Sequence, residues 1–296
     1  MTSCTNCPHL CRTDRVERLG FCKCRKAPKL ARADLHMWEE PPITGKSGSG
    51  AIFFTGCNMR CVYCQNRDIS TRADIGMQAD SGKLAQIMLD LQSCGAANIN
   101  LVTPTPHIDA IISAINKARD NGLVIPIVYN TNSYIEVNAL KRLKGLIDIY
   151  LPDYKYAYEE LALKYSGVKN YPETAKRAIE EMHNQTGSLK IKNGIAVKGV
   201  LVRHLVLPNL IYNSRAVLDS LRKFLPIEMH ISLMRQYTPY KIPEQYPELD
   251  RKITAREYKS VVDYALGMGF CNIYIQSPES SRQDYIPDWT LAENKV

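Results

Sequence analysis

The chain has 296 residues, of which 45% are hydrophobic, and its formal net charge at pH 7 is +8. This length and composition are enough for one large domain with a buried core, or for one domain and a small appendage. No stretch approaches the roughly 20 consecutive apolar residues that cross a bilayer, and the amino terminus has no apolar stretch typical of a signal peptide, so the sequence predicts a cytoplasmic protein without membrane contact.

The ten cysteines are distributed unevenly, and eight of them lie within the first 64 residues. A reducing cytoplasm keeps thiols free, so these cysteines favour metal ligation or catalysis over a disulfide framework. Cys4, Cys7, Cys11 and Cys22 have the spacing C-x2-C-x3-C-x10-C, which offers enough thiolates for one auxiliary metal site. We interpret this site as an auxiliary iron–sulfur cluster, with structural zinc and no stable metal as the alternatives.

Residues 1–32 carry eight basic residues against two acidic ones, an excess of six positive charges. Such a segment suits an acidic partner, such as nucleic acid or an electron-donor protein. A solvated basic surface that offsets the negative charge of metal-bound thiolates is the simpler explanation. Because Phe21 is the only aromatic residue of the segment, side chains for base stacking are missing, and nucleic acid is not the expected partner.

A passage rich in Pro, Gly and Ser spans residues 39–50 and predicts a loop. We therefore predict a Cys-rich, metal-binding extension over residues 1–40 and a core domain over residues 41–290. In the core, short β-rich runs alternate with helical periodicity, which predicts βα units around a parallel sheet. The predicted strands are 51–55, 98–103, 124–129, 147–151, 199–206, 229–234 and 272–276.

Amphipathic spacing predicts three of the helices that pack on this sheet. Leu84 and Ile108 each begin a series of apolar residues at i, i+3, i+4 and i+7, and a third helix near 254–267 opens with the capping-box pair Thr254 and Glu257. The predicted fold class is α/β, a partial TIM-type (β/α)6 barrel in which a seventh strand is a further candidate. In such barrels the chemistry collects at the carboxyl ends of the strands.

Directly after the first predicted core strand, Cys57, Cys61 and Cys64 have the spacing C-x3-C-x2-C, and Tyr63 precedes the third cysteine. Three thiolates without a histidine suit structural zinc poorly, because such sites normally have four protein ligands. They suit a [4Fe-4S] cluster in which three irons are ligated by the protein. The fourth iron then stays open to a small molecule that carries an amine and a carboxylate.

This loop, C-x3-C-x-aromatic-C after the first strand of a βα barrel, resembles the signature of the radical S-adenosylmethionine (SAM) superfamily. The resemblance implies that the open iron binds the methionine end of SAM and that the reduced cluster cleaves SAM to a 5′-deoxyadenosyl radical, which abstracts hydrogen from a substrate. It also implies anaerobic chemistry and an electron donor such as flavodoxin or ferredoxin. It leaves open whether the substrate is a small molecule or a protein.

Polar residues at the ends of later strands are the expected contacts to SAM. Here the chain most resembles the branch that contains the pyruvate formate-lyase activating enzyme, together with activase-like proteins that begin with a comparable Cys-rich segment. The superfamily usually has Gly-Gly-Glu where this chain has Thr103, and Asn130 stands where activases have an acid. The resemblance implies SAM contacts from Tyr63, at the adenine, and from Thr103, Asn130, Asp153, Lys155 and Arg203.

Two other functions fit parts of the sequence. Activation of a glycyl-radical enzyme is the alternative within the superfamily, but the chain lacks the ferredoxin insertion of many activases and the histidine that follows their sixth strand. A zinc-containing nucleic-acid-binding protein is the alternative of another class. It predicts zinc after purification and a nucleic-acid affinity that falls steeply with salt.

Overall fold

The computed structural model describes residues 4–280 and residue 289. Within them, one sheet contains all ten strands. In chain order the strands are β1 (Lys29–His36), β2 (Ser49–Phe54), β3 (Met77–Gln78), β4 (Ile99–Val102), β5 (Ile127–Thr131), β6 (Ile149–Pro152), β7 (Lys190–Lys192), β8 (Ile195–Leu205), β9 (His230–Met234) and β10 (Ile273–Ile275).

Nine α-helices lie between these strands in the described part of the chain. They are α1 (Pro41–Thr44), α2 (Arg67–Ser70), α3 (Ser81–Ser93), α4 (Ile108–Asp120), α5 (Val137–Lys141), α6 (Glu159–Ser166), α7 (Tyr171–Thr186), α8 (Ile211–Phe224) and α9 (Ala255–Gly267). None of these helices is long and apolar enough to cross a membrane.

Seven neighbouring strands are parallel, in the order β10-β9-β8-β6-β5-β4-β2. Each of them corresponds to a strand predicted from the sequence, and the predicted α/β class with a mostly parallel sheet is confirmed. Three antiparallel strands were not predicted: β1 pairs with β2, β3 extends β1, and β7 pairs with β8. The sequence hides β1 because half of its eight residues are charged or histidine.

Strand β5 begins later than the sequence predicts. Val124, the first residue of the predicted strand, is 84% exposed, and regular pairing starts at Ile127. Pro126 explains the difference, because proline has no N–H to donate to the sheet and is found at strand ends. The apolar run therefore contains a loop residue as well as the strand.

The three predicted helices are present. In α3 and α4 the buried residues follow the predicted spacing from Leu84 and Ile108, and the two helices pack on each other. In α9 the predicted capping box is formed: Glu257 N donates to Thr254 Oγ1 at 3.2 Å, and Thr254 N donates to Glu257 Oε2 at 2.9 Å. These reciprocal bonds satisfy two amides at the start of the helix.

The parallel strands alternate between two environments. Residues such as Ile52, Leu101 and Tyr129 pack with the helices in the main core cluster. Their neighbours in the chain point to the opposite face, where Phe53 and Asn130 line an internal cavity. This alternation is the period of two expected of β-strands.

Residues 4–28 contain no regular helix or strand, yet they are held against the core. Arg15 is buried and donates hydrogen bonds to the carbonyl oxygens of Cys24, Arg25 and Pro106. Strand β1, which lies within the predicted extension 1–40, belongs to the sheet. The division into 1–40 and 41–290 stays a prediction, and residues 281–288 and 290 of that core lie outside the described residues.

Candidate active site

A cavity of about 470 Å³ lies on the inner face of the sheet. Lining residues come from six of the seven parallel strands, and the seventh, β6, is represented by Asp153, which directly follows it. At one end lie the loops that follow the carboxyl ends of the strands. This is where the chemistry of parallel βα folds is expected.

The nine residues predicted for the cluster and for SAM binding come together in this cavity. They come from five segments of the chain, and all of them are lining residues: Cys57, Cys61, Tyr63, Cys64, Thr103, Asn130, Asp153, Lys155 and Arg203. The tertiary structure therefore makes a single site of positions that are up to 146 residues apart in the chain. Their individual roles stay predictions.

Each sulfur of the three-cysteine loop accepts a hydrogen bond from a nearby side chain. The pairs are Ser166 Oγ to Cys61 Sγ at 3.0 Å, Ser70 Oγ to Cys64 Sγ at 3.5 Å, and Asn132 Nδ2 to Cys57 Sγ at 3.5 Å. Donors aimed at sulfur stabilise thiolates and tune the potential of iron–sulfur clusters. Three thiols with such donors fit a cluster with three protein ligands.

Two thiols of this loop, those of Cys57 and Cys61, lose their protons less readily than a free thiol. Burial raises the pKa of Cys61 to about 11, against the opposing effect of Lys155, and burial likewise raises the pKa of Cys57. Across residues 4–280 and 289, no three Cys, His, Asp or Glu side chains converge closely enough to hold a metal ion. The fit to a cluster therefore rests on the type and spacing of the donors.

Asp153, Lys155 and Arg203 form a buried ionic network. Lys155 Nζ lies 2.6 Å from Asp153 Oδ2, and Arg203 Nε lies 3.0 Å from Asp153 Oδ1. Burial acts to raise the pKa of Asp153, but Lys155 and Arg203 outweigh it and hold the pKa below its usual value. The predicted Asp–Lys pair is therefore charged and buried, and not the surface ion pair that these residue types usually form.

Two further predicted contacts are held in unusual surroundings. Thr103 has φ of 62°, a left-handed conformation that β-branched residues rarely adopt, and its N–H donates to Asn130 O at 3.0 Å. The Asn130 side chain accepts from Arg203 and donates to Glu39 Oε1 at 3.3 Å. Strain of this kind collects at functional sites.

Tyr63 reaches the cavity but is largely enclosed by other aromatic residues. Its hydroxyl accepts a hydrogen bond from Tyr156 at 2.6 Å, and its ring meets those of Tyr156 and Tyr237 edge to face. A role in the core is therefore evident, and the contact with adenine stays a prediction.

His204, beside Arg203 in β8, is a structural residue, as the alternation of the strand predicts. Its Nδ1–H donates to Tyr154 O at 2.7 Å, and its Nε2 accepts from Ser214 Oγ at 2.9 Å. It does not line the cavity. Both ring nitrogens are satisfied within the core.

Sequence reasoning missed the residues that enter the cavity from the connection between β1 and β2. This connection includes α1 and crosses the amino ends of the parallel strands, where Asn98 Nδ2 donates to Ile43 O at 2.7 Å. Glu39 accepts from Asn100 Nδ2 at 2.8 Å and pairs with Arg203, whose Nη1 is 3.2 Å from Oε2. The sequence signal that could have indicated them is the pair of acids Glu39 and Glu40 directly before Pro41 and Pro42.

The amino-terminal cysteines form a second group, outside the main cavity. Cys11 and Cys22 both lie beside Gly20, where an added Cβ would be 3.3 Å and 3.5 Å from their sulfur atoms. Burial raises the pKa of Cys7 to about 12, and the nearby Cys22 and Cys4 thiols contribute to that rise. These contacts link the four predicted auxiliary ligands in pairs, but no three of them converge on one point in the described part of the chain, and their metal stays a prediction.

The chain matches the family model of the radical SAM superfamily over residues 51–197. It is also 32% identical over 272 residues to an uncharacterized protein of Methanocaldococcus jannaschii, an alignment that covers 89% of this chain and 74% of that relative. The family match begins in β2 and includes all three cysteines of the loop.

Solved structures share the fold at low sequence identity. SuiB of Streptococcus suis, bound to S-adenosylmethionine, has a TM-score of 0.52 and 13% identity over 76% of this chain and 49% of its own. The [FeFe]-hydrogenase maturase HydG of Carboxydothermus hydrogenoformans has a TM-score of 0.51 and 17% identity over 78% of this chain and 54% of its own. The chain thus spans about half the length of these two structures.

Proposed function

Because the chain belongs to the radical SAM superfamily and is therefore an enzyme, we propose that it abstracts hydrogen from a substrate by reductive cleavage of SAM. A [4Fe-4S] cluster on Cys57, Cys61 and Cys64 and bound SAM would supply the 5′-deoxyadenosyl radical. The observation that carries the proposal is the convergence of these three cysteines with all six predicted SAM contacts on one cavity.

The charged network binds and orients the methionine end of SAM. Lys155 and Arg203 are cations suited to its carboxylate, and Asp153 between them holds both at fixed positions. Thr103 and Asn130 offer a hydroxyl, an amide and backbone carbonyls to the ammonium group, in place of the acid of Gly-Gly-Glu. Groups that are already bonded to one another lose little freedom when a ligand arrives.

The apolar part of the cavity excludes water from the reacting atoms. Phe53, Val102, Leu205 and Met234 line it from four different strands. A site lined in this way strengthens electrostatic contacts and protects reactive species from side reactions. The chain itself therefore contributes orientation and a dry surface.

Finer features are also proposals. We infer that the seven parallel strands curve into an incomplete (β/α)6-type barrel with an added seventh strand, because nearly all of them contribute lining residues to one cavity. We further propose a cytoplasmic enzyme that receives electrons from flavodoxin or ferredoxin and works anaerobically. An iron–sulfur cluster or zinc on Cys4, Cys7, Cys11 and Cys22 is supported by the closeness of their thiols.

Activation of a glycyl-radical enzyme stays an alternative, and no contact among residues 4–280 and 289 favours it over action on a small molecule. It predicts a glycyl-radical EPR signal in a partner protein after incubation with this enzyme. The nucleic-acid-binding hypothesis gives the core domain no function. Membership of the radical SAM superfamily gives it one, and this favours the enzyme over the nucleic-acid-binding protein.

The decisive experiment is anaerobic reconstitution with iron and sulfide, followed by measurement of 5′-deoxyadenosine formed from SAM. Cys57→Ala, Cys61→Ala and Cys64→Ala should each abolish this product. The exposed Cys94 and Cys271 provide matched controls, because their alanine variants should cleave SAM at the wild-type rate. Retention of SAM cleavage in all three loop variants would show that the proposal is wrong.

A further inference from the structure

Glu40 brings a carboxyl oxygen without a hydrogen-bond partner to the wall of the cavity. The residue is 8% exposed, and its Oε2 has no partner. Ser232 in β9 is fully buried, and its hydroxyl also has no partner. Both residues line the cavity; burial raises the pKa of Glu40, and the Ser232 hydroxyl, which faces the carboxyl, opposes that rise. The Ser232 hydroxyl can donate to this carboxylate, but one such bond leaves acceptor sites of both groups unpaired, and a buried polar atom left unpaired costs about 1–3 kcal/mol.

The backbone around Glu40 is rigid. Glu40 is the N-cap of α1, where its carbonyl accepts from Ile43 N at 2.8 Å and from Thr44 N at 3.0 Å. Its side chain makes no capping bond, so the carboxyl is available for other contacts. Pro41 and Pro42 fix φ in the first helical turn. The connection therefore holds the backbone of Glu40 in one position at the cavity wall.

The charges that line the cavity do not balance. Glu39, Glu40 and Asp153 are acidic, whereas Lys155 and Arg203 are the two Lys or Arg side chains in the lining. Both cations already pair with Asp153 or Glu39. An ionised Glu40 thus leaves one excess negative charge in a buried site, where unpaired charges are strongly disfavoured. A positively charged group beside Glu40 itself would compensate this carboxylate.

Glu40 lies on the side of the cavity opposite the cysteine loop. Its connection crosses the amino ends of the parallel strands, whereas Cys57 follows the carboxyl end of β2. The six residues of β2 span roughly 17 Å at about 3.3 Å per residue. A ligand group that meets Glu40 therefore lies deeper in the cavity than a molecule bound at the cysteines.

We propose that Glu40 and Ser232 bind a protonated amine of the substrate, which makes the substrate a small cationic molecule. The carboxylate neutralises the ammonium charge, and the hydroxyl accepts one of its hydrogens. The cavity of about 470 Å³ is in the range of small-molecule sites. This inference rests on the proposed function, because it names the substrate class for the same site.

The test uses the reconstituted full-length enzyme and small molecules extracted from cells of the source organism grown in deuterated medium. A cation-exchange resin divides the extract into a retained, cationic pool and an unretained pool. Deuterium in 5′-deoxyadenosine, measured by mass spectrometry, reports which pool contains the substrate. We expect transfer from the retained pool alone. Complete failure of the wild-type enzyme to cleave SAM would instead contradict the proposed function.

Variants then assign the amine to Glu40. For each protein, deuterium transfer from the retained pool is divided by the rate of SAM cleavage that the same protein shows without the pool. Glu40→Gln should lower this ratio about tenfold to a hundredfold, which is the range expected for a lost charged hydrogen bond. Ser232→Ala should lower deuterium transfer by a smaller factor. This second variant keeps the test possible if Glu40→Gln does not fold. The control Asp263→Asn removes an exposed acid paired with Lys259 and should leave the transfer unchanged.

Three results would overturn the inference. The first is transfer from the unretained pool or from neither pool, which would indicate a neutral, anionic or macromolecular substrate. The second is undiminished transfer in both Glu40→Gln and Ser232→Ala. The third is a Glu40→Gln variant that binds labelled SAM more weakly in equilibrium dialysis but transfers deuterium normally once SAM is saturating. That result would mean that the Glu40 carboxylate binds SAM and not the substrate.

Discussion

At the scale of single residues, the buried charges of the cavity depend on one another. Asp153 contacts both Lys155 and Arg203, and all three side chains are at most 15% exposed. Removal of one member leaves uncompensated charge in a buried site, which costs far more than the loss of a surface ion pair.

We therefore expect Asp153→Ala to lower the free energy of unfolding by about 3–5 kcal/mol. Asp263→Ala, which breaks the exposed pair with Lys259, should cost less than about 1 kcal/mol. Urea denaturation of both variants under anaerobic conditions measures the difference. Equal losses would mean that the network is solvated and contributes no more than a surface pair.

His204 should make stability depend on pH. Burial lowers its pKa to about 4, against the opposing hydrogen bond to Tyr154 O. The unfolded chain therefore binds protons more readily, and stability is lost as pH falls through the unfolded pKa of about 6.5 toward the folded value. Between about pH 7.5 and about pH 5.5, this one residue should remove about 1 kcal/mol.

Urea denaturation of wild type and His204→Gln at several pH values in that range tests this dependence. The stability difference between the two proteins should narrow as pH falls, because glutamine does not titrate. Burial also lowers the pKa of His107, to about 3, and this histidine is present in both proteins. The stability of His204→Gln should therefore still fall with pH, by about as much as His107 contributes. Parallel curves for the two proteins would contradict the prediction.

At the scale of elements, the short helix α1 fills the amino end of the parallel sheet. Ile43 is fully buried in a cluster with Val128, Ile149, Leu151 and Leu201 from three strands. The same helix fixes Glu39 and Glu40 at the cavity through its first turn. A four-residue helix thus both fills the interior and presents two carboxyl groups.

Ile43→Ala should lower the free energy of unfolding by about 2–5 kcal/mol, because it leaves a cavity among packed aliphatic side chains. Ile191→Ala offers a control, since this residue is 42% exposed on β7 and should cost much less. Chemical denaturation compares the two. A small loss at Ile43 would mean that α1 is not packed against the sheet as described.

At the scale of the whole molecule, the amino-terminal segment is held against the sheet and the three-cysteine loop. Gly56, beside the first predicted cluster cysteine, lies so close to Cys24 that an added Cβ would be 2.5 Å from its sulfur. Arg15 binds the segment to the loop after β4 through Pro106 O. The segment therefore packs on the loop that holds the predicted cluster.

Metal analysis of the reconstituted enzyme tests the auxiliary site. One [4Fe-4S] cluster accounts for about four iron atoms per chain and two clusters for about eight. We expect Cys4→Ala with Cys7→Ala to remove about half of the iron and to keep SAM cleavage measurable. About four irons with stoichiometric zinc would assign the site to zinc, and about four without zinc would mean that no auxiliary metal binds.

The local sequence determined much of this protein. The spacing of Cys57, Cys61 and Cys64, the seven parallel strands and the capping box of Thr254 were all predicted, because each depends on residues within a few positions of one another. Periodicity and short motifs record such local relations directly. The class of fold and the family followed from them.

Only the tertiary structure decided which side chains meet. The sequence left 39–50 as a loop, yet Glu39 pairs with Arg203, 164 residues away, and Glu40 reaches the same cavity. Strand β1 could not be predicted from the sequence for a similar reason. Its pairing with β2, and not the periodicity of its own residues, makes it a strand. Burial and charge pairing depend on distances in space between remote segments, and a single sequence does not record those distances.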